Sequence, residues 1–281
     1  MHSEYDLRSA AEDCPQLPEE GFNDPVLAKV RAAGWIFPEP IWKCLSDYEK
    51  NFAQIEFTGQ RTLANYRKRL ACLGFRDMNR VLDAACGMGQ WSLALAELNG
   101  QVEGVDINVG RLLIASSLAK SMKKGNCHFR HSSIENLPYP PNWFDGIFCY
   151  GAFMFADMPI TLAQFSRVLR PGGRLYLNAN SYGWYFHLLF DEGFKKKNLS
   201  IVKATLFMII RTVMGKKGNV VVREGWLRRQ MDQANLQIVA MAPEGGVCLD
   251  ENVVDRPQAL YPPKYYGMLS MIEVIAQKCS A

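Results

Sequence analysis

The sequence predicts an α/β protein, a mostly parallel sheet with helices on both faces. Three observations predict it. Val81, Leu82, Ala84 and Ala85 form a short apolar run suited to a strand buried on both faces. Gly87-Met88-Gly89 follows, and Trp91-Ser92-Leu93-Ala94-Leu95-Ala96 then reads as the first turns of a helix. Strand, glycine turn and helix together bring a nucleotide-like ligand against bare backbone. Downstream, apolar strand-like runs alternate with helical ones as far as residue 180.

The chain has 281 residues, enough for one large α/β domain with an elaboration. Its net charge of +4 is too weak to argue for a nucleic-acid partner. The eight cysteines show no Cys-x-x-Cys pair and no His/Cys ligand spacing. They read as reduced thiols of a cytoplasmic protein, and no metal is expected. The N-terminus has no basic region leading into an apolar core, so no signal peptide is visible.

In chain order, residues 1–38 are polar, acidic and punctuated by Pro15, Pro18, Pro25 and Pro38. The first twenty are expected to be loosely ordered, while Gly34-Trp35-Ile36-Phe37-Pro38 is apolar enough to dock. One helix is expected over 41–52, with Ile41, Trp42, Leu45 and Tyr48 on one face, and another over 61–73. Residues 1–60 thus read as an extension with cap helices, and 61–281 as the main domain. After the glycine turn, Gln101-Val102-Glu103-Gly104-Val105 alternates and ends in Asp106. A carboxylate about 20 residues beyond such a turn accepts hydrogen bonds from both ribose hydroxyls. The competing reading is a cap for the helix expected over 109–123. Further strands are expected over 127–131 and 144–150. A helix over 158–169 then leads to a fifth strand ending near Asn180. Beyond residue 222 come a helix over 224–234, a strand over 236–241, a loop over 243–263 and a last strand over 269–278.

The run Val81-Leu82-Asp83-Ala84-Ala85-Cys86-Gly87-Met88-Gly89 resembles motif I of the class I S-adenosylmethionine (SAM)-dependent methyltransferases, roughly V-L-D-x-G-C-G-x-G. Ala85 stands in place of its first glycine. The acidic Asp83 and the absence of a third glycine after Gly89 argue against a dinucleotide pyrophosphate. Ser133-Ile134-Glu135-Asn136-Leu137-Pro138, leading to Phe144-Asp145, is similar to the family's D-A-E-x-L-P…F-D segment. Leu169-Arg170-Pro171-Gly172-Gly173-Arg174-Leu175 matches its L-R-P-G-G-x-L. The likeness covers about residues 65 to 180 and is to the small-molecule type, similar to the ubiquinone- and menaquinone-biosynthesis methyltransferases.

This resemblance implies a Rossmann-like seven-stranded sheet in the order 3-2-1-4-5-7-6, with strand 7 antiparallel. N-terminal helices and a helical lid inserted after strand 5, over 181–222, would complete it. It implies SAM as cofactor and S-adenosyl-L-homocysteine as product. Asp83, Ala85, Gly87 and Gly89 would form the cofactor loop, with Asp106 and Ile107 at the ribose. Ser133 and Ile134 would lie at the adenine, where Ser133 stands for the family's usual aspartate, and Tyr150 against the methionine part. The implied reaction moves a methyl group to an O, N or C nucleophile of a small organic metabolite or a glycan intermediate. Two other readings remain: an enzyme of this fold using bound SAM for different chemistry, and a non-catalytic SAM-binding partner protein.

The segment after strand 5 is aromatic: Tyr182-Gly183-Trp184-Tyr185-Phe186-His187-Leu188-Leu189-Phe190. It emerges at the sheet edge where ligands bind, so Tyr182, Tyr185 and Phe186, with Trp42, are candidate substrate contacts. His187 is the one of four histidines expected there, as a base or a substrate contact. Lys195, Lys196, Lys197, Lys216 and Lys217 read either as ligands for an anionic substrate group or as solvated loop ends. The apolar stretch 199–214 is too short and too charged to span a bilayer. It reads as a packed lid helix, with peripheral membrane contact as the alternative. The expected partner is a small-molecule substrate, with no nucleic acid, and the chain is a monomer or a homodimer.

Overall fold

The computed structural model describes residues 24–216, 221–250 and 259–280. The expected loose ordering of residues 1–20, Lys217 and the middle of the 243–263 loop lie outside the described residues. Among the described residues there are nine strands: β1 (Arg80–Ala84), β2 (Gln101–Asp106), β3 (Cys127–His131), β4 (Phe144–Cys149), β5 (Leu169–Asn180), β6 (Leu236–Pro243), β7 (Lys264–Tyr265), β8 (Met268–Leu269) and β9 (Met271–Lys278). Seven of them form one sheet in the order β3-β2-β1-β4-β5-β9-β6. The first four pairings are parallel, and β9 runs antiparallel to both β5 and β6. This is the predicted 3-2-1-4-5-7-6 sheet. Its last strand is ninth in the chain only because the small β7–β8 hairpin precedes it.

The central strands are apolar on both faces because helices cover both faces. Val81, Phe148, Tyr176 and Ile275 point into one core, and Leu82, Ile147, Leu175 and Val274 into the other. Every residue of β4 is buried. The Pro171-Gly172-Gly173 stretch lies inside β5, where the β4–β5 register shifts between Phe144 and Gly146.

Among the described residues four helices precede the sheet: α1 (Pro25–Ala32), α2 (Glu39–Cys44), α3 (Asp47–Phe57) and α4 (Leu63–Cys72). The single helix expected over 41–52 is two helices. Leu45 is extended, with ψ 137°, and Ser46 opens a capping box with Glu49 that starts α3 afresh. Helix α1 was not anticipated. The Asp24 carboxylate accepts from the N–H groups of Val26 and Leu27, and Pro25 takes the first helical position. Trp35 meets Phe57 and Tyr66 edge-on, and Tyr66 meets Trp91 at 4.1 Å, so these helices share one core with the sheet. Arg69 of α4 is clamped to Glu273 in the middle of β9, and Glu273 also accepts from the Tyr176 hydroxyl and the Val247 N–H. Removing one partner of such a buried pair costs about 3–5 kcal/mol.

Helices α5 (Gln90–Leu98), α6 (Val109–Ser121) and α7 (Met158–Val168) connect the parallel strands, and α10 (Glu224–Gln233) precedes β6. After β5, α8 (Tyr182–His187) runs into a π-helical stretch, Leu188–Lys195, followed by α9 (Leu199–Val213). Gly183 lets α8 press onto the β7–β8 hairpin, since a Cβ there would lie 2.3 Å from the Met268 carbonyl oxygen. Among the described residues no helix is long and apolar enough to cross a membrane.

Candidate functional site

The site begins where β1 ends. Ala85, Gly87 and Gly89 all take left-handed conformations, with φ of 63°, 56° and 83°. The two glycines do different work. A Cβ on Gly87 would meet nothing closer than Gln90 Oε1 at 4.0 Å, so its missing side chain leaves an open cradle. A Cβ on Gly89 would lie 2.9 Å from Ala115 Cβ and 3.1 Å from the Phe129 ring, so that glycine serves the packing of α5. Ala85 holds a conformation that costs an L-residue about 1–2 kcal/mol.

Asp106 reaches this turn from the end of β2. Its Oδ2 accepts from the Gly87 N–H at 2.9 Å and its Oδ1 from the Asn108 N–H at 2.8 Å. Each carboxylate oxygen has about two acceptor positions, so each keeps one in reserve. Asn108, not Asp106, caps α6 through its own side chain, which removes the competing reading of Asp106. Ile107 stands beside it with 71% of its surface exposed. The Ser132 N–H bonds the Asp106 carbonyl oxygen, which brings Ser133 and the buried Ile134 alongside. Ser133 Oγ accepts from the Glu135 N–H.

Asp83 lies behind the turn and is 1% exposed. Ser92 Oγ donates to it, tying β1 to the first turn of α5. Burial pushes its carboxyl up to about 7 against that hydrogen bond.

A narrow cleft of about 20 Å³ opens between α4 and the end of β6, room for about one water. Arg61, Asn65, Tyr66, Trp91, Glu244 and Leu260 are among its walls. Arg61 is ion-paired with Glu56 and donates to the Tyr261 hydroxyl at 2.9 Å. Burial opposes the charge on Arg61, and the adjacent Glu56 carboxylate more than restores it. Glu56 also accepts from Gln90 Nε2 at 3.3 Å, which links the cleft to the glycine turn. Gln90 Oε1 and Trp91 Nε1 are buried without a hydrogen-bond partner among the described residues. An orphan acceptor and an orphan donor beside an open cradle fit a polar ligand.

Glu244, 4% exposed, forms part of the cleft wall and meets the Tyr150 hydroxyl. Its Oε2 accepts from the N–H groups of Leu260 and Tyr261, and its Oε1, among the described residues, only from the Tyr150 hydroxyl at 3.4 Å. Burial raises its carboxyl above the ordinary value, and Glu273 adds repulsion. Tyr150 itself packs on Trp91 with ring centroids 5.0 Å apart.

Gly87, Gly89, Ala85, Asp106, Ile107, Ser133, Ile134 and Tyr150 therefore gather at the carboxyl ends of the parallel strands. Trp42 lies elsewhere: it is fully buried among the N-terminal helices, stacked edge-on with Phe37, its indole N–H donating to Asp24. On α8, Tyr182 is half-buried, and Tyr185 is 1% exposed. The Tyr185 hydroxyl lies near Asn180 without a geometrically sound hydrogen bond among the described residues. Phe186 stacks on Phe190, away from the cleft walls. His187 stacks on Tyr265 at 4.2 Å, and its Nδ1 meets Asp191 at 2.8 Å. Trp184 meets Tyr261 edge-on at 5.0 Å, and Tyr261 in turn accepts from Arg61, so α8 is linked to the cleft.

Sequence reasoning missed Glu56, Arg61, Gln90, Glu244 and Tyr261. The traceable signals were weak: a Gln60-Arg61-Thr62 cap before α4, and one acidic residue closing β6 ahead of an aromatic, proline-rich loop.

Residues 81–173 match the family described as a methyltransferase domain. Over that third of the chain the protein is similar to methyltransferase domains. A demethylmenaquinone methyltransferase from Symbiobacterium thermophilum is 37% identical over 114 residues, covering 39% of this chain and 45% of the relative. An uncharacterised methyltransferase, YcgJ, from Bacillus subtilis is 35% identical over 36% of this chain and 41% of its own. The chain thus spans less than half the length of these curated relatives. Among solved structures, a geranyl diphosphate C-methyltransferase from Streptomyces coelicolor superposes with a TM-score of 0.59 at 16% identity, over 97% of both chains. At that identity the likeness is one of fold.

Proposed function

We propose that this protein moves the methyl group of SAM to an O, N or C nucleophile of a small organic metabolite or a glycan intermediate. The observation that carries the reading is the open cradle at Gly87, set against the Asp106 carboxylate within a methyltransferase-family domain. When bound, SAM supplies an electrophilic methyl group on a sulfonium. The chain's own residues do the rest. Asp106 has an acceptor position free on each oxygen for the two ribose hydroxyls. Ile107 offers an exposed apolar face to the adenine, with Ser133 and Ile134 beside it. The orphan Gln90 Oε1 suits an ammonium donor, which the amino-acid end of SAM carries. Asp83 acts from behind, holding Ser92 and the start of α5.

For a hydroxyl or amine nucleophile a proton must leave, and a buried carboxylate with a raised pKa is suited to take it. Glu244 fills that role, because among the described residues its Oε1 carries only the long contact from Tyr150 while Oε2 is anchored by two backbone N–H groups. His187 and the rings of α8 belong to the lid, which excludes water and selects the substrate. Methyl-labelled SAM incubated with the protein and a metabolite extract tests the proposal. Label appearing in an extract component supports it. SAM bound without label transfer points instead to other chemistry at the same site, and absence of SAM binding removes the reading altogether.

A further inference from the structure

Helix α9 is apolar on its outer face, while its inner face buries Val202 beside threonine side chains. Thr205 is 1% exposed, and the Thr212 hydroxyl points inward to accept from the Val221 N–H. Outward stand Leu199, Leu206, Phe207, Ile210, Val213 and Met214, with exposures from 42% to 81%. These positions recur at helical spacing, so they form one stripe along the helix. The π-helical stretch packs beside α9, where a Cβ on Gly193 would meet Val202 Cγ2 at 2.7 Å. It adds a ladder of rings, Phe186 on Phe190 at 5.9 Å and Phe190 on Phe194 at 6.0 Å, with Phe194 53% exposed. An apolar surface of this extent left to water marks a contact site.

Charge indicates what covers it. Between Asp191 and Lys216 stand six cations, Lys195, Lys196, Lys197, Lys203, Arg211 and Lys216, against two carboxylates, Asp191 and Glu192. Lys195 and Lys196 are paired with those carboxylates. Lys197 and Lys216 bracket the stripe, and Lys203 sits within it. A lysine at the middle of an apolar stripe suits a lipid interface. There its stem lies along the acyl boundary while its ammonium reaches the phosphates. It does not suit a dry contact with a second copy, which would bury an uncompensated charge and set like charges together. With 15 residues α9 is about 22 Å long, too short to cross the roughly 30 Å hydrocarbon core but long enough to lie flat in the headgroup region.

We propose that the outer face of α9, with the Phe190–Phe194 ladder and its flanking lysines, docks this protein on an anionic membrane surface. The proposal stands apart from methyl transfer, since it needs neither SAM nor turnover. The test is flotation of the full chain with vesicles made of equal parts phosphatidylcholine and phosphatidylglycerol, and with phosphatidylcholine alone. Flotation is expected with the anionic vesicles only, falling as salt is raised. Phe207→Glu, which removes an exposed ring, should weaken partitioning about tenfold or more while thermal melting stays at the wild-type temperature. Lys197→Gln and Lys203→Gln should each weaken it about fivefold. Equal flotation with neutral vesicles would overturn the role of charge. No flotation, or a concentration-dependent dimer that Phe207→Glu dissolves, would overturn the lipid occupant.

Discussion

Alanine at Gly87 and alanine at Gly89 should fail in opposite ways. Both residues are left-handed, so each substitution meets the same backbone penalty of about 1–2 kcal/mol, less about 0.4–1 kcal/mol regained from a stiffer unfolded chain. At Gly87 nothing is added, because the new methyl group would stand in open space with its nearest neighbour at 4.0 Å. The net destabilisation is then about 1 kcal/mol. At Gly89 the methyl group would press on Ala115 Cβ, which is fixed to the α6 backbone, and on the Phe129 ring. Overpacking of this kind adds about 1–3 kcal/mol, for a total of about 2–4 kcal/mol. Ligand binding should reverse the order. The Gly87→Ala methyl group occupies the cradle and should weaken SAM about tenfold or more. Gly89→Ala, where it remains folded, should bind SAM nearly as wild type. Urea unfolding gives the stabilities and calorimetry the affinities. Equal destabilisation by both variants, or wild-type SAM affinity in Gly87→Ala, would refute the division of labour between the two glycines.

Three further outcomes are expected. Asp83 has a carboxyl raised from 3.8 to about 7, so its protonated form favours the fold. That stability is fully present below about pH 4 and is lost as pH rises through about 7, by up to about 4 kcal/mol. Asp83→Asn should flatten the loss, and urea melts from pH 4 to pH 8 with unchanged slopes for wild type and variant would contradict it. Glu244→Gln should lower turnover about a hundredfold or more with SAM affinity retained if the acceptor is a hydroxyl or amine. Equal turnover in His187→Ala would leave Glu244 as the proton acceptor, while loss there alone would move the role to the lid. Ala85→Gly should relieve left-handed strain and raise the unfolding free energy by about 0.5–1 kcal/mol, and a lower melting temperature would show that Ala85 packs in a way glycine cannot.

What could be read from the sequence was local. The β1 turn and Asp106 announce themselves within a few residues, and the strand order came from the family resemblance that the three motifs carry. The break at Leu45 and Ser46 was hidden because one capping box overrode a continuous helical pattern. Helix α1 was hidden because Pro25 was read as punctuation when it occupies the first helical turn. The cleft was out of reach for a different reason. Arg61 and Tyr261 meet across 200 residues of chain, and neither lies in a pattern that announces a partner. The aromatic composition of the 182–214 segment was plain, but which rings point inward depends on packing. Trp184 turns to Tyr261, whereas Phe190 and Phe207 face solvent.

The central claim is that the Gly87–Asp106 edge is a SAM site. Calorimetric titration of SAM into the wild-type protein and into Asp106→Ala tests it most directly. A single saturable site is expected in the wild type. In the variant, losing a charged acceptor for two hydroxyls should cost about 1–3 kcal/mol, roughly 5- to 150-fold in affinity, while the protein remains folded by circular dichroism. A wild-type protein that takes up no SAM, or a folded variant that binds it equally well, would contradict the claim.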